Sequence, residues 1–241
     1  MPQHISRKEL KTDEVRDTIA HGANALLSHK QGTTYILLAA IIVVLAILGW
    51  RAYASGQTTK AAAGFANAME IFEAPTGSQA AAPPSPGQPI FKDDNAKFTA
   101  AAQKFEDVAK NYSRTRPGQL ANYYAGLSLE QLGKNDEAKR YLQSAASGGD
   151  TDYASLAQFE LAKIDDKTSQ SDQAVKLYQQ LMAKPTVLVP KPVVMLALAH
   201  HYREKNPSEA AKLYGQIKSQ YPDTAIADQA DQELALLPGK S

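Results

Sequence analysis

No cysteine occurs in the 241 residues, and that one absence removes disulfides, thiolate metal sites, a lipid-modified cysteine and a cysteine nucleophile together. It suits an exported domain. An excess of charge of either sign is missing too, since 26 Lys and Arg face 25 Asp and Glu for a formal net charge of +1. With no basic arm and no basic run interleaved with aromatics, nothing points to nucleic acid. Aromatics are sparse at 7%, and from Asp94 onward no stretch resembles a strand. The 44% hydrophobic content still suffices for one ordinary globular domain.

Of long apolar runs there is one. QGTTYILLAAIIVVLAILGW, residues 31–50, carries no charge and is bounded by Lys30 and Arg51. As a helix it spans roughly 30 Å, the hydrocarbon thickness of a bilayer. A buried helix of a soluble domain would keep a polar stripe. Here polar side chains stand only at the start, as Gln31, Thr33 and Thr34. Tyr35 at one end and Trp50 with Tyr53 at the other occupy interfacial positions. Ala52-Tyr53-Ala54 has the small-x-small spacing of a signal-peptidase site, so cleavage after Ala54 is the alternative to a retained anchor. The run exceeds an ordinary signal h-region and lies thirty residues in, which favours retention. Arg7, Lys8, Lys11, Arg16 and Lys30 precede it, against Arg51 and Lys60 just after, so the expected orientation is N-terminus inside.

Ser6 with Glu9, then Val15, Ile19, Ala23 and Leu26, read as a capped amphipathic helix before the anchor. Beyond it, Thr58 to Phe72 continues as an Ala-rich helix with Phe65, Met69 and Phe72 at i, i+4, i+7. Residues 74–89, APTGSQAAAPPSPGQP, hold five prolines and no charge, a composition that cannot build a core. The expected organisation is a cytoplasmic juxtamembrane helix over 1–30, an anchor over 31–54 and a membrane-proximal helix over 55–73. A Pro/Ala-rich linker over 74–93, a helical repeat domain over 94–237 and a disordered terminus over 238–241 follow.

From Asp94 the chain repeats itself. Asp172-Gln-Ala-Val-Lys-Leu-Tyr-Gln-Gln-Leu181 aligns with Ser208-Glu-Ala-Ala-Lys-Leu-Tyr-Gly-Gln-Ile217 at an offset of 36, sharing five of ten residues. The same step back reaches Ala138, and one residue beyond the next step reaches Ala101, followed by Phe105, Val108 and Tyr112. Twelve residues upstream of each alanine lie small residues, in Ala125-Gly126 before Ala138 and in Leu161-Ala162 before Ala174. A helix pair of this size cannot bury its apolar stripe alone, so stacked pairs must share a core.

These residues resemble the tetratricopeptide repeat. Ala125-Gly126, Leu129, Gly133, Ala138, Leu142 and Ala145 fall at its small and apolar signature positions, and Pro222 at its closing proline in the last repeat; Asp150 replaces that proline two repeats earlier, and the period is 36 rather than 34. The expected fold is all-α, a single N-terminal transmembrane helix followed by a tetratricopeptide-like solenoid of antiparallel helix pairs. The whole arrangement is similar to the ancillary subunit family of the bacterial Sec translocon, a family related to periplasmic cell-division and envelope-assembly coordinators. That resemblance implies a single-pass inner-membrane scaffold with its C-terminal domain in the periplasm, and as partners the Sec translocon or periplasmic chaperones. By the family's spacing, the groove lined by first helices takes in Tyr123, Leu127, Phe159, Lys163, Tyr202 and Arg203.

Catalytic patterns are weak. Gly239-Lys240-Ser241 has Leu at position 234 where a phosphate-binding loop needs its first glycine. His200 and His201 are consecutive on a helix, pointing about 100° apart, and cannot share a metal. Asp165-Asp166 end a helix at a polar turn and read as solvated charge. The sequence therefore leads to no enzyme, cofactor, metal or small-molecule substrate.

Overall fold

The computed structural model describes residues 30–77, 89–168 and 170–237. The juxtamembrane tail, most of the proline-rich stretch and the last four residues, each assigned a character above, lie outside the described residues. The chain divides into two units, Met1–Gly56 and Gln57–Ser241. Among the described residues there are nine helices and no strand beyond an isolated Thr76–Phe91 bridge.

Helix α1 runs Lys30–Phe72 without interruption. In the first unit its large apolar side chains from Tyr35 through Tyr53 are exposed, and the most apolar window has none of its residues buried. It is long and apolar enough to cross a membrane.

The second unit opens with the remainder of α1, residues 57–72, which packs as a first helix against α2, Asp94–Asn111. The approach is close because of Gly64, where a Cβ would lie 2.9 Å from Val108 Cγ2. Three helix pairs follow: α3 Arg116–Gln131 with α4 Asn135–Ala146, α5 Thr151–Lys167 with α6 Ser171–Ala183, and α7 Lys191–Lys205 with α8 Pro207–Gln220. Helix α9, Ala225–Ala235, covers the end. From α2 onward each helix packs on its sequence neighbours, and α3 also meets α5 while α7 meets α9. Such near-neighbour packing is what defines a solenoid.

The 36-residue period becomes a column of buried side chains. Ala101, Phe105 and Val108 in α2 recur as Ala138, Leu142 and Ala145 in α4, Ala174, Tyr178 and Leu181 in α6, and Ala210, Tyr214 and Ile217 in α8, all buried. The alanines face first helices at small residues. A Cβ on Gly126 would stand 2.6 Å from Leu142 Cγ and 3.2 Å from the Ala138 carbonyl. Replacing Ala174, which is wholly buried, with Leu should therefore cost about 1–3 kcal/mol through overpacking. Urea unfolding should show that loss and almost none for Gln179→Ala, an exposed change on the same helix. Equal midpoints for Ala174→Leu and wild type would contradict the pairing.

Helix ends are set locally. Gly133 takes φ +71°, allowing Lys134 N–H to bond Leu129 C=O at 2.9 Å and Gly133 N–H to bond Glu130 C=O at 2.8 Å, a Schellman closure of α3. Asp150, standing where the repeat family has its closing proline, is the N-cap of α5: its carboxylate accepts from Tyr153 N–H at 3.4 Å and from Arg116 at 2.9 Å. The departure from the family pattern thus exchanges a chain-stopping residue for a helix-starting one.

Candidate interaction surface

The six residues assigned to the groove sit on three first helices. On α3, Tyr123 is buried, its ring 5.2 Å from Tyr124 and 6.3 Å from Tyr153, and Leu127 is partly buried against the same core. On α5, Phe159 is half-buried with its ring 6.0 Å from Tyr178. Lys163, 38% exposed, places its ammonium 2.5 Å from Glu160 and 6.0 Å from the Phe159 ring. On α7, Tyr202 packs against the apolar clusters of the last two pairs, while Arg203 is exposed and bonds Glu233 of α9 at 3.1 Å. The fold brings Phe159 and Lys163 into contact and seats Phe159 and Tyr202 against one cluster. The apolar members give much of their area to the core, and the two cations are already paired.

Burial, with the carboxylates of Glu160 and Glu130 adding to it, holds the Tyr123 hydroxyl above the ordinary tyrosine range. Burial also raises Tyr124. Both phenols stay neutral hydrogen-bonding groups at any physiological pH. Glu160 itself escaped the sequence reading, although its position three residues before Lys163 on one helix was the available signal.

Paired polar and charged side chains tie successive first helices. Glu130 of α3 meets Lys167 of α5 at 3.0 Å, Asp166 of α5 meets His201 of α7 at 2.5 Å, and Glu233 of α9 meets Arg203 of α7. Asp165 is buried and lies 2.5 Å from Lys139 of α4. The Asp165-Asp166 pair is therefore consumed in inter-helix bonding, which corrects its reading as solvated charge. His201 Nε2 also stands 3.5 Å from Ser171 Oγ. That order of serine, histidine and aspartate is the order of a hydrolytic relay, but Lys205 already donates to the same Ser171 oxygen at 2.5 Å and the imidazole is only 3% exposed. The cluster joins α5, α6 and α7.

A separate cleft of about 350 Å³ opens between α2, α3 and α4, lined by Glu106, Asp107, Lys110, Asn122 and Tyr141. Burial and the nearby Glu137 raise the Glu106 carboxyl above the usual range. Among the described residues no cluster of His, Asp and Glu is arranged to hold a metal.

Stacked antiparallel helix pairs with small residues at the crossing points, and a surface of paired charges and half-buried rings, define a repeat protein built for contact with other proteins. The chain matches the tetratricopeptide repeat-like domain over residues 29–185 and the tetratricopeptide repeat over 194–224, and it belongs to the tetratricopeptide repeat-like family. No curated protein and no solved structure matches it. Domains of this family are generally non-catalytic scaffolds for protein–protein interaction.

Proposed function

We propose that the chain is a single-pass protein of the bacterial inner membrane whose repeat array faces the periplasm and binds protein partners at the Sec translocon or in envelope assembly. The observation that carries this reading is the combination, in one chain, of a helix whose most apolar window has no buried residue and an array of tetratricopeptide helix pairs. Such a helix needs a nonaqueous surrounding. The backbone stays helical through Ala52-Tyr53-Ala54, a conformation that a peptidase would first have to unwind, which supports a retained anchor over a cleaved signal. The bias of Lys and Arg toward the N-terminal flank supports the cytoplasmic side for that end.

The partner groove is the face of α3, α5 and α7 that carries Tyr123, Leu127, Phe159, Lys163, Tyr202 and Arg203. An extended segment or a partner helix would exchange its own charges for Glu160 and Glu233 at Lys163 and Arg203, and lie over the adjoining rings. Lys163→Gln with Arg203→Gln tests this without the carboxylate crowding that charge reversal would create beside Glu160. Crosslinking to partners in intact membranes should fall severalfold while helicity is unchanged. Undiminished crosslinking would remove the groove, and a mature chain starting at Ser55 by intact mass would make the protein a soluble exported module instead. Protease added to spheroplasts should digest the segment after Arg51 and spare the one before Lys30; the opposite pattern would reverse the topology.

A further inference from the structure

Links from a second helix to the following helix are four residues long at 112–115, 147–150 and 221–224, but seven at 184–190. The longer link reads Lys184-Pro-Thr-Val-Leu-Val-Pro190, followed by Lys191. Its extra length is fixed in place. Thr186 N–H donates to Val189 C=O at 3.2 Å, Val189 N–H donates to Thr186 Oγ1 at 3.1 Å, and the Thr186 hydroxyl is 2.7 Å from Ser155 Oγ on α5. Two prolines restrict the backbone further, and Val189 is buried in the core of the last two pairs. What this frame holds outward is apolar: Val187 is 85% exposed, and Leu188 with Val193 of α7 is exposed beside it. Lys184 and Lys191 flank the tip, both exposed and neither in an ion pair among the described residues.

A hydrogen-bonded, exposed tip of aliphatic residues between lysines has the wrong chemistry for a protein hot spot, where Val and Leu are under-represented and Lys is depleted. It has the chemistry of a bilayer interface, where aliphatic groups reach the acyl boundary while basic residues pair with anionic headgroups. We propose that the 184–191 loop is a membrane contact of the repeat array, with Val187 and Leu188 entering the headgroup boundary of an anionic bilayer and Lys184 and Lys191 holding its phosphates. The inference rests on the membrane-anchored reading for a bilayer within reach of the array.

The absence of cysteine allows a single reporter. Val187→Cys, labelled with an environment-sensitive fluorophore in the full chain, is reconstituted into phosphatidylcholine vesicles with or without phosphatidylglycerol and with doxyl-labelled lipid as quencher. The label should shift to the blue and be quenched in the anionic vesicles, whereas Gly149→Cys, at an open position in a four-residue link, should show neither. With Lys184→Glu and Lys191→Glu added, the ratio of inserted to withdrawn label should drop about thirtyfold, from roughly fivefold per lysine. Trp50, the only tryptophan, reports the anchor in the same sample. Quenched Trp50 beside a water-exposed label at position 187 keeps the anchor and overturns the loop contact; a quenched label beside unquenched Trp50 keeps the contact and overturns the anchor. A label shielded only when other membrane proteins are supplied, and untouched by doxyl lipid, would assign the loop to a protein partner and overturn the lipid assignment.

Discussion

Phe105→Ala should lower the unfolding free energy by about 3–5 kcal/mol, the loss typical of emptying a wholly buried aromatic site. The side chain is fully enclosed, its ring 5.6 Å from Phe65, 6.1 Å from Phe72 and stacked 5.3 Å from Tyr124. Three elements meet there, the 57–72 segment of α1, α2 and α3, so the rigid rings cannot collapse into the space without separating helices. The damage should also be local. Because solenoid repeats touch only their neighbours, amide exchange should accelerate across residues 57–72, α2 and α3 and much less across α7 and α8. Urea unfolding supplies the energy and hydrogen exchange the location. A loss below about 1 kcal/mol, or exchange raised uniformly along the array, would contradict a first repeat built around this ring.

The period of the array was legible because tetratricopeptide packing spends few residue types: an alanine at each crossing, then bulk four and seven residues on. That rule holds in full in α2, α6 and α8, while α4 keeps the alanine and the bulk four residues on but has Ala145 at the third place. The drop in hydropathy after Trp50 was legible as well, but as a change in the side chains that α1 presents rather than in its backbone, since α1 passes through it unbroken. Alanine-rich segments continue a helix as readily as the apolar run before them.

Less of the surface could be read. Lys163 and Arg203 stood out as exposed cations on a groove face, yet each has a carboxylate partner. Glu160, three residues before Lys163, was recoverable from helix geometry. Glu233 lies thirty residues from Arg203 on another helix, and only the fold brings it there. The same limit explains Asp165 and Asp166. A polar helix end predicts solvation when taken alone, but α4 and α7 supply Lys139 and His201 from 26 residues before and 35 residues after. The Asp166 pairing falls close to the repeat step and the Asp165 pairing reaches back to the preceding second helix, and both are visible only once the helices are stacked.

The Lys139–Asp165 pair carries the other large effect. Its side chains are 14% and 8% exposed, the ammonium and carboxylate are 2.5 Å apart, and Lys139 Nζ also donates to Gln170 Oε1 at 2.7 Å. It clamps α4 to the end of α5. Lys139→Met keeps most of the buried stem but strands Asp165, whose carboxylate then has neither water nor a cation. That change should cost about 3–5 kcal/mol, mostly as the penalty of an uncompensated buried charge rather than as the net worth of the bond. The double variant Lys139→Met with Asp165→Leu removes both charges and should recover most of the loss, because replacing a buried pair with apolar side chains is often close to neutral. A double-mutant cycle in urea measures the difference, with Lys176→Met on α6 as an exposed-lysine control. Lys139→Met behaving like Lys176→Met would show that water reaches the pair in solution. A double variant as unstable as Lys139→Met alone would instead trace the loss to packing around the lysine stem and its bond to Gln170, not to the stranded aspartate.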